Sequence, residues 1–173
     1  MERFVPIRPL GHGAFGGVYL AYHVDLDIVA VKLIKKNRYH KQEREWNSAI
    51  QLTSKQDSCP FILQYKEYDY NRKCDVIITE YANFKTLDII TKQPDIPLPT
   101  YTLRALMKQI LEGTRIIHAS GLVHRDIKCD NILLHSPPGT GRVYVKIADF
   151  GLAKSEDQNS ERFYIAGTLP YWV

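Results

Sequence analysis

Cysteine is scarce in this sequence: three residues in 173, Cys59, Cys74 and Cys129, an odd number with no C-x-x-C pair. Neither a disulfide framework nor a structural zinc site follows from them, and free thiols point to the cytoplasm. Long apolar runs are missing too, since nothing approaches the ~18 uninterrupted apolar residues of a membrane span. Met1 leads almost at once into the strand-like Phe4-Val5-Pro6-Ile7, without the basic segment, apolar stretch and cleavage site of a secretory leader. An excess of one charge sign is equally absent. Lys and Arg number 23 against 19 Asp and Glu, a net charge of +4, and the densest basic run, Lys35-Lys36-Asn37-Arg38, adjoins Glu43 and Glu45. That run reads as a solvated helix start, so neither nucleic acid nor membrane is an expected partner. What is present is ordinary globular material, with 45% apolar and 24% charged residues.

Alternating apolar residues predict strands over Phe4–Leu10, Gly17–His23 and Asp27–Ile34, an antiparallel meander. A helix is expected from about Asn37 to Thr53, with Tyr39, Trp46, Ala49 and Ile50 near one face, and then a polar loop, Ser54 to Ser58. Two further strands, Phe61–Tyr68 and Cys74–Tyr81, complete a small sheet with one helix. After Pro94, Pro97 and Pro99 the pattern changes. Leu103, Leu106, Met107, Ile110, Leu111 and Ile117 recur at helical spacing, which predicts an amphipathic helix stopping near Gly121. Two short strands, Ile132–His135 and Val143–Ala148, then flank a long turn over Ser136–Gly141.

Gly11-His12-Gly13-Ala14-Phe15-Gly16-Gly17-Val18 lies between two predicted strands, where glycines let backbone N–H groups close over phosphates without a Cβ in the way. The dinucleotide-binding form of this spacing needs a helix directly after the glycines, and Val18 to Tyr22 is strand-like instead. In isolation the stretch would read equally well as a Gly-rich hairpin turn. Three other segments change the balance: Val29-Ala30-Val31-Lys32 on a strand, His124-Arg125-Asp126-Ile127-Lys128-Cys129-Asp130-Asn131 after the long helix, and Asp149-Phe150-Gly151 after the last hairpin. Their order and context are those of the protein-kinase signature set. Over essentially its whole length the chain resembles a eukaryotic-type protein kinase of the Ser/Thr type.

The resemblance implies an α+β, protein-kinase-like bilobal fold. Residues 1–82 would form a complete, β-rich N-lobe with a Gly-rich loop and one regulatory helix. Residues 83–173 would form the first part of a helical C-lobe, with the catalytic loop and most of the activation segment. Phosphoryl transfer is mostly positioning and charge neutralisation, and the family assigns the parts. Lys32 would bind the α- and β-phosphates of ATP, held by a helix carboxylate. Asp126 would accept or orient the proton of the substrate hydroxyl, Lys128 would contact the transferred phosphate, and Asn131 with Asp149 would bind Mg²⁺. Of the two carboxylates that could hold Lys32, Glu45 is favoured over Glu43, because the family has apolar residues one, four and seven positions later and Glu45 gives Trp46, Ala49 and Leu52. Ala49 is smaller than the Leu or Met common there. Leu10, Gly11, Gly13, Gly16 and Val18 would close over the nucleotide, with Val18, Ala30 and Leu133 sandwiching the adenine. The Glu80 carbonyl and the Ala82 N–H would meet its edge, in front of Thr79 at the gatekeeper position. Lys128, two residues after Asp126, is typical of Ser/Thr kinases.

The chain also departs from the family. Ala166 to Val173 resembles the closing stretch of an activation segment, but the sequence stops before the usual Ala-Pro-Glu. The expected function is ATP-dependent phosphoryl transfer to Ser/Thr hydroxyls of protein substrates by a parent domain, of which this chain is an inactive fragment. The alternative is a truncated nucleotide-binding or regulatory interaction module without phosphotransfer. Arg125 is expected to grip a phosphate placed by an upstream kinase on the activation segment, at Tyr164 or Ser160.

Overall fold

A computed structural model describes residues 3–13, 16–35, 41–53, 59–70, 74–93 and 95–155. Strands β1 (Phe4–Gly13), β2 (Gly16–His23) and β3 (Asp27–Lys35) form the antiparallel meander that the alternation predicts. Register shifts between Pro6 and Arg8 and between Pro9 and Gly11 interrupt β1, because proline has no N–H to give a ladder. Helix α1 (Lys41–Thr53) follows, then β4 (Tyr65–Tyr70) and β5 (Cys74–Glu80), and β5 inserts between β3 and β4 to give the order β1-β2-β3-β5-β4. This central place accounts for the composition of β5. Val76 and Ile78 pack with Ala21, Val29 and Val31 on one face while Ile77 joins the larger core on the other, so the apolar run is continuous rather than alternating.

The fourth strand begins at Tyr65, not at Phe61 as the sequence suggests. Ile147 N–H donates to the Phe61 carbonyl at 2.8 Å and Leu63 N–H donates to the Ile147 carbonyl at 2.9 Å. The segment before β4 is thereby drawn out of the sheet into a parallel bridge with a distant strand. The predicted fifth strand is likewise too long by one residue, since β5 ends at Glu80 rather than Tyr81.

A short helix, α2 (Asp88–Thr91), precedes the twenty-residue α3 (Thr100–Ala119). Helix α3 turns Leu106, Ile110, Gly113 and Ile117 inward. A Cβ on Gly113 would come within 2.8 Å of Ile147 Cδ1 and 3.3 Å of Phe61 Cβ, so glycine is what lets the helix lie this close. Leu103, Met107 and Leu111, which periodicity alone groups with the buried positions, are exposed, as is Tyr101. The apolar stripe of the helix is therefore wider than the part of it that meets the core.

The last part pairs β6 (Leu122–Val123) with β9 (Lys154–Ser155) and β7 (Ile132–His135) with β8 (Tyr144–Ile147), both antiparallel. The β7–β8 hairpin is the predicted one, trimmed of Val143 and Ala148. Single turns of 3₁₀ helix cover Cys129–Asn131 and Phe150–Leu152. One buried cluster runs from Ile34, Ala49, Leu52 and Tyr65 through Ile117, Ile132, Val145 and Phe150, tying sheet and helical parts together. The buried Lys146 of β8 adds a polar link, with Nζ 2.8 Å from Glu80 Oε1 at the end of β5. The readings at Ala14, Phe15, Tyr39, Ser54 to Ser58 and residues 156–173, including Ser160 and Tyr164, lie outside the described residues.

Candidate active site

The register of the sheet sets out the first group. Val18 stands opposite Lys32, which stands opposite Ile77, and Leu20, Ala30 and Thr79 are aligned two residues further along. Because side chains alternate, Val18, Ala30, Lys32 and Thr79 share one face. The same face receives α1. Its Trp46 stacks on Tyr68 of β4 with ring centroids 5.7 Å apart, and Ala49 and Leu52 are buried, so Glu45 points inward. Lys32 Nζ donates to Glu45 Oε1 at 2.9 Å and to Oε2 at 2.8 Å, while Glu43 sits exposed on the first turn. Burial works to lower the Lys32 pKa, but the charges of Glu45 and Asp149 and the hydrogen bond to Glu45 outweigh it and hold the ammonium above its ordinary value.

At the mouth of the sheet, β1 ends at Gly13 and β2 begins at Gly16. A Cβ on Gly16 would fall 1.8 Å from the Leu33 carbonyl oxygen, so only glycine allows β2 to start against β3 there. Leu10 and Gly11 are exposed on β1. Beyond β5, Ala82 and Leu133 are half-buried, and a bridge between Thr86 and Leu133 ties the loop after β5 to β7. The buried Thr79 donates its hydroxyl to the Glu80 carbonyl at 3.1 Å. The Glu80 side chain, which no motif singles out, is held by Lys146 and by Gln64 N–H at 2.9 Å.

The third group lies after β6. Asp126 Oδ2 accepts from Asn131 Nδ2 at 2.9 Å and lies 3.0 Å from Lys128 Nζ, and the same Asn131 nitrogen donates to the Asp126 carbonyl at 2.9 Å. Arg125 and Asp149 both have positive φ, 65° and 62°, in the left-handed region that ordinary residues avoid. Such strain persists only where the surroundings enforce it. Arg125 Nε donates to the Leu152 carbonyl at 2.7 Å, and Asp149 accepts from Gly151 N–H at 3.3 Å, so each is tied across the segment that follows β8.

His124 bonds through Nε2 to the Ala148 carbonyl at 3.0 Å and accepts at Nδ1 from Asp126 N–H at 3.3 Å. A ring bonded in this way is neutral, with the proton on Nε2. Burial drives its pKa below the ordinary value of 6.5, against the Ala148 bond and the charges of Asp149 and Asp126. The unfolded chain therefore binds more protons as pH falls through about 6.5, and stability drops in that window. The thermal midpoint should fall between about pH 7.5 and about pH 5.5, and the fall should shrink in His124→Asn. An equal fall in both proteins would take His124 out of the pH dependence.

No group of three or more His, Cys, Asp and Glu among the described residues could hold a metal ion by itself. Mg²⁺ asks for less, since it takes one or two carboxylates and completes its shell with water and substrate phosphates. Asn131 commits its nitrogen to Asp126 and keeps its oxygen for another partner. With the Asp149 carboxylate, that is a hard-oxygen pair suited to a cation shared with a phosphate.

The signature segments thus stand in three hydrogen-bonded groups around one core. Sequence reasoning missed two participants, Tyr65, whose hydroxyl donates to Glu45 Oε1 at 2.9 Å, and Lys146. No local pattern marks either.

Comparison with known proteins agrees with this arrangement. The family model described as protein kinase domain matches residues 4–173. The chain is 34% identical to serine/threonine-protein kinase CST20 of Candida albicans (strain WO-1), a match covering 99% of this chain and 14% of that protein. It is 33% identical to serine/threonine-protein kinase STE20 of Saccharomyces cerevisiae (99% and 17%) and 33% identical to serine/threonine-protein kinase TAO3 of Xenopus laevis (98% and 18%). The chain belongs to the protein kinase domain family, and its sheet, helices and hairpin are those of the α+β kinase fold. It spans less than a fifth of the length of these three relatives.

Proposed function

We propose that this chain carries the nucleotide-binding and catalytic parts of a protein kinase that transfers the γ-phosphoryl group of ATP, with Mg²⁺, to Ser or Thr hydroxyls of protein substrates. The observation that carries the reading is the Asp126 carboxylate held between Lys128 and Asn131, on a strand-and-loop framework that also brings Asp149 within electrostatic range of Lys32. Asp126 accepts or orients the proton of the attacking hydroxyl, and Lys128 beside it meets the charge on the transferred group. Lys32, kept charged by Glu45, grips the α- and β-phosphates. Asn131 and Asp149 are the residues that hold Mg²⁺, which when bound supplies neutralisation of phosphate charge. Leu10, Gly11, Gly13, Gly16 and Val18 cover the phosphates and ribose side, Val18, Ala30 and Leu133 enclose the base, and Thr79, Glu80 and Ala82 line its inner and hinge edges.

On this reading residues 1–82 are the N-lobe and 83–173 part of the C-lobe, with the division just past the end of β5. The exposed Tyr101, Leu103, Met107 and Leu111 of α3 favour a larger helical lobe packing there, so that the chain is one piece of the active domain. The same uncovered face supports a second reading, a module that binds nucleotide without transferring phosphate. Three free cysteines favour the cytoplasm, and no helix among the described residues is long and apolar enough to cross a membrane. A phosphate on the activation segment, added by an upstream kinase, would compete with the Leu152 carbonyl for Arg125.

Asp149→Asn tests the site. Asparagine tolerates the left-handed backbone and can still accept from Gly151 N–H, so the fold should hold while the charge is lost. Calorimetric titration with ATP should show Mg²⁺-dependent affinity falling by roughly 10- to 100-fold, with affinity in excess chelator unchanged. A wild-type chain that binds ATP equally with and without Mg²⁺ would overturn the assignment. Binding without any peptide phosphorylation, in the protein extended through a complete C-lobe, would select the second reading.

A further inference from the structure

We propose that Tyr65 is a positioning residue of this site, whose hydroxyl locks Glu45 inward while its ring packs on Phe150, the residue after Asp149. The inference rests on the kinase reading above. Glu45 is 5% exposed, and its carboxylate needs donors on both oxygens. Lys32 reaches both, but it does so from the end of a flexible four-carbon chain. Tyr65 supplies a rigid third donor, its hydroxyl 2.9 Å from Glu45 Oε1, on a side chain that is itself 6% exposed.

Burial, the charge of Glu45 and the hydrogen bond to it keep the phenol well above its ordinary pKa, so it stays a donor. The hydroxyl therefore fixes α1 to β4, and Glu45 cannot swing outward without breaking a buried hydrogen bond. The ring adds a second tie, meeting Phe150 edge-on at 6.1 Å.

The packing explains why a tyrosine serves here. One turn past Glu45 the helix presents only Ala49, 1% exposed and in the same buried cluster as Tyr65 and Phe150. So short a side chain gives α1 little reach toward Phe150. The larger ring rises from β4 instead and carries a polar tip to Glu45. Tyr68 provides a matched control, since it stacks on Trp46 of the same helix while its buried hydroxyl has no hydrogen-bond partner among the described residues.

The test compares Tyr65→Phe with Tyr68→Phe in the protein extended through a complete C-lobe. Acylation of Lys32 by an amine-reactive reagent, read by mass spectrometry without nucleotide, should quicken on the order of fivefold in Tyr65→Phe as Glu45 is loosened, and stay at the wild-type rate in Tyr68→Phe. Peptide phosphorylation should lose about tenfold in kcat with the peptide KM unchanged, and on a Glu45→Gln background Tyr65→Phe should cost no more than about twofold. The ¹³C shift of the Tyr65 ring carbon bearing the hydroxyl should move in Glu45→Gln, a readout that needs no change at Tyr65 itself. Unchanged Lys32 labelling or an unmoved ¹³C shift would overturn the inference, as would an equal loss on both backgrounds. If the wild type, extended through a complete C-lobe, transfers no phosphate, the kinase reading falls while labelling and the ¹³C shift still decide the role of Tyr65. If the wild type is active and Tyr65→Phe behaves like Tyr68→Phe, the inference falls and the kinase reading stands.

Discussion

Asp126→Asn should leave MgATP affinity within about twofold and lower the rate of peptide phosphorylation by roughly 10²–10⁴-fold, the span of general acid–base contributions. The substitution is nearly isosteric, and an amide oxygen can still accept from Lys128 or Asn131, which hold the carboxylate at 3.0 and 2.9 Å. What it cannot do is take a proton or balance the positive charge of Lys128. Since the carboxylate acts on the hydroxyl and not on the nucleotide, the loss should fall on turnover and spare binding. Paired titration calorimetry and steady-state kinetics, on any length of the protein that transfers phosphate, separate the two. A rate unchanged by the substitution would remove Asp126 from the mechanism.

Much of this framework is legible in the sequence because its signals are local. Alternation marks β1, β2 and β3, and four motifs in order mark the family. The spacing of Trp46, Ala49 and Leu52 puts Glu45 on the inward face of α1, where the structure has it. What escapes the sequence is non-local. Phe61 to Leu63 is as apolar as a strand, yet pairs with Ile147. Strands β6 and β9 are two residues each and α2 is four, too short to carry a period. The apolar stripe of α3 is wider than its buried part, and periodicity cannot say which of its residues meet the core. Tyr65 and Glu45 are 20 residues apart, and Lys146 and Glu80 are 66 apart, so no spacing rule connects them.

The largest stability effect should come from Phe150, whose ring is fully buried where the core crosses from the sheet to the helical part. It meets Tyr65 on one side and His124 on the other, with centroids 6.1 and 5.0 Å away. Phe150→Ala removes the ring from a site walled by α1, β4 and the β7–β8 hairpin, which cannot all collapse inward. The expected cost is therefore the full ~3–5 kcal/mol of a large-to-small core change, a large part of the ~5–15 kcal/mol that a domain has to lose. Phe150→Leu keeps much of the volume and should cost only about 1–2 kcal/mol. Denaturant unfolding of the three proteins measures both differences, and an alanine variant less than about 1 kcal/mol below wild type would mean that Phe150 does not brace the two halves. The two substitutions should also separate stability from function. Asp149 precedes Phe150 in a left-handed backbone that the buried ring helps to enforce. The alanine variant should consequently lose Mg²⁺-dependent nucleotide binding even at temperatures where it remains folded, whereas the leucine variant keeps it.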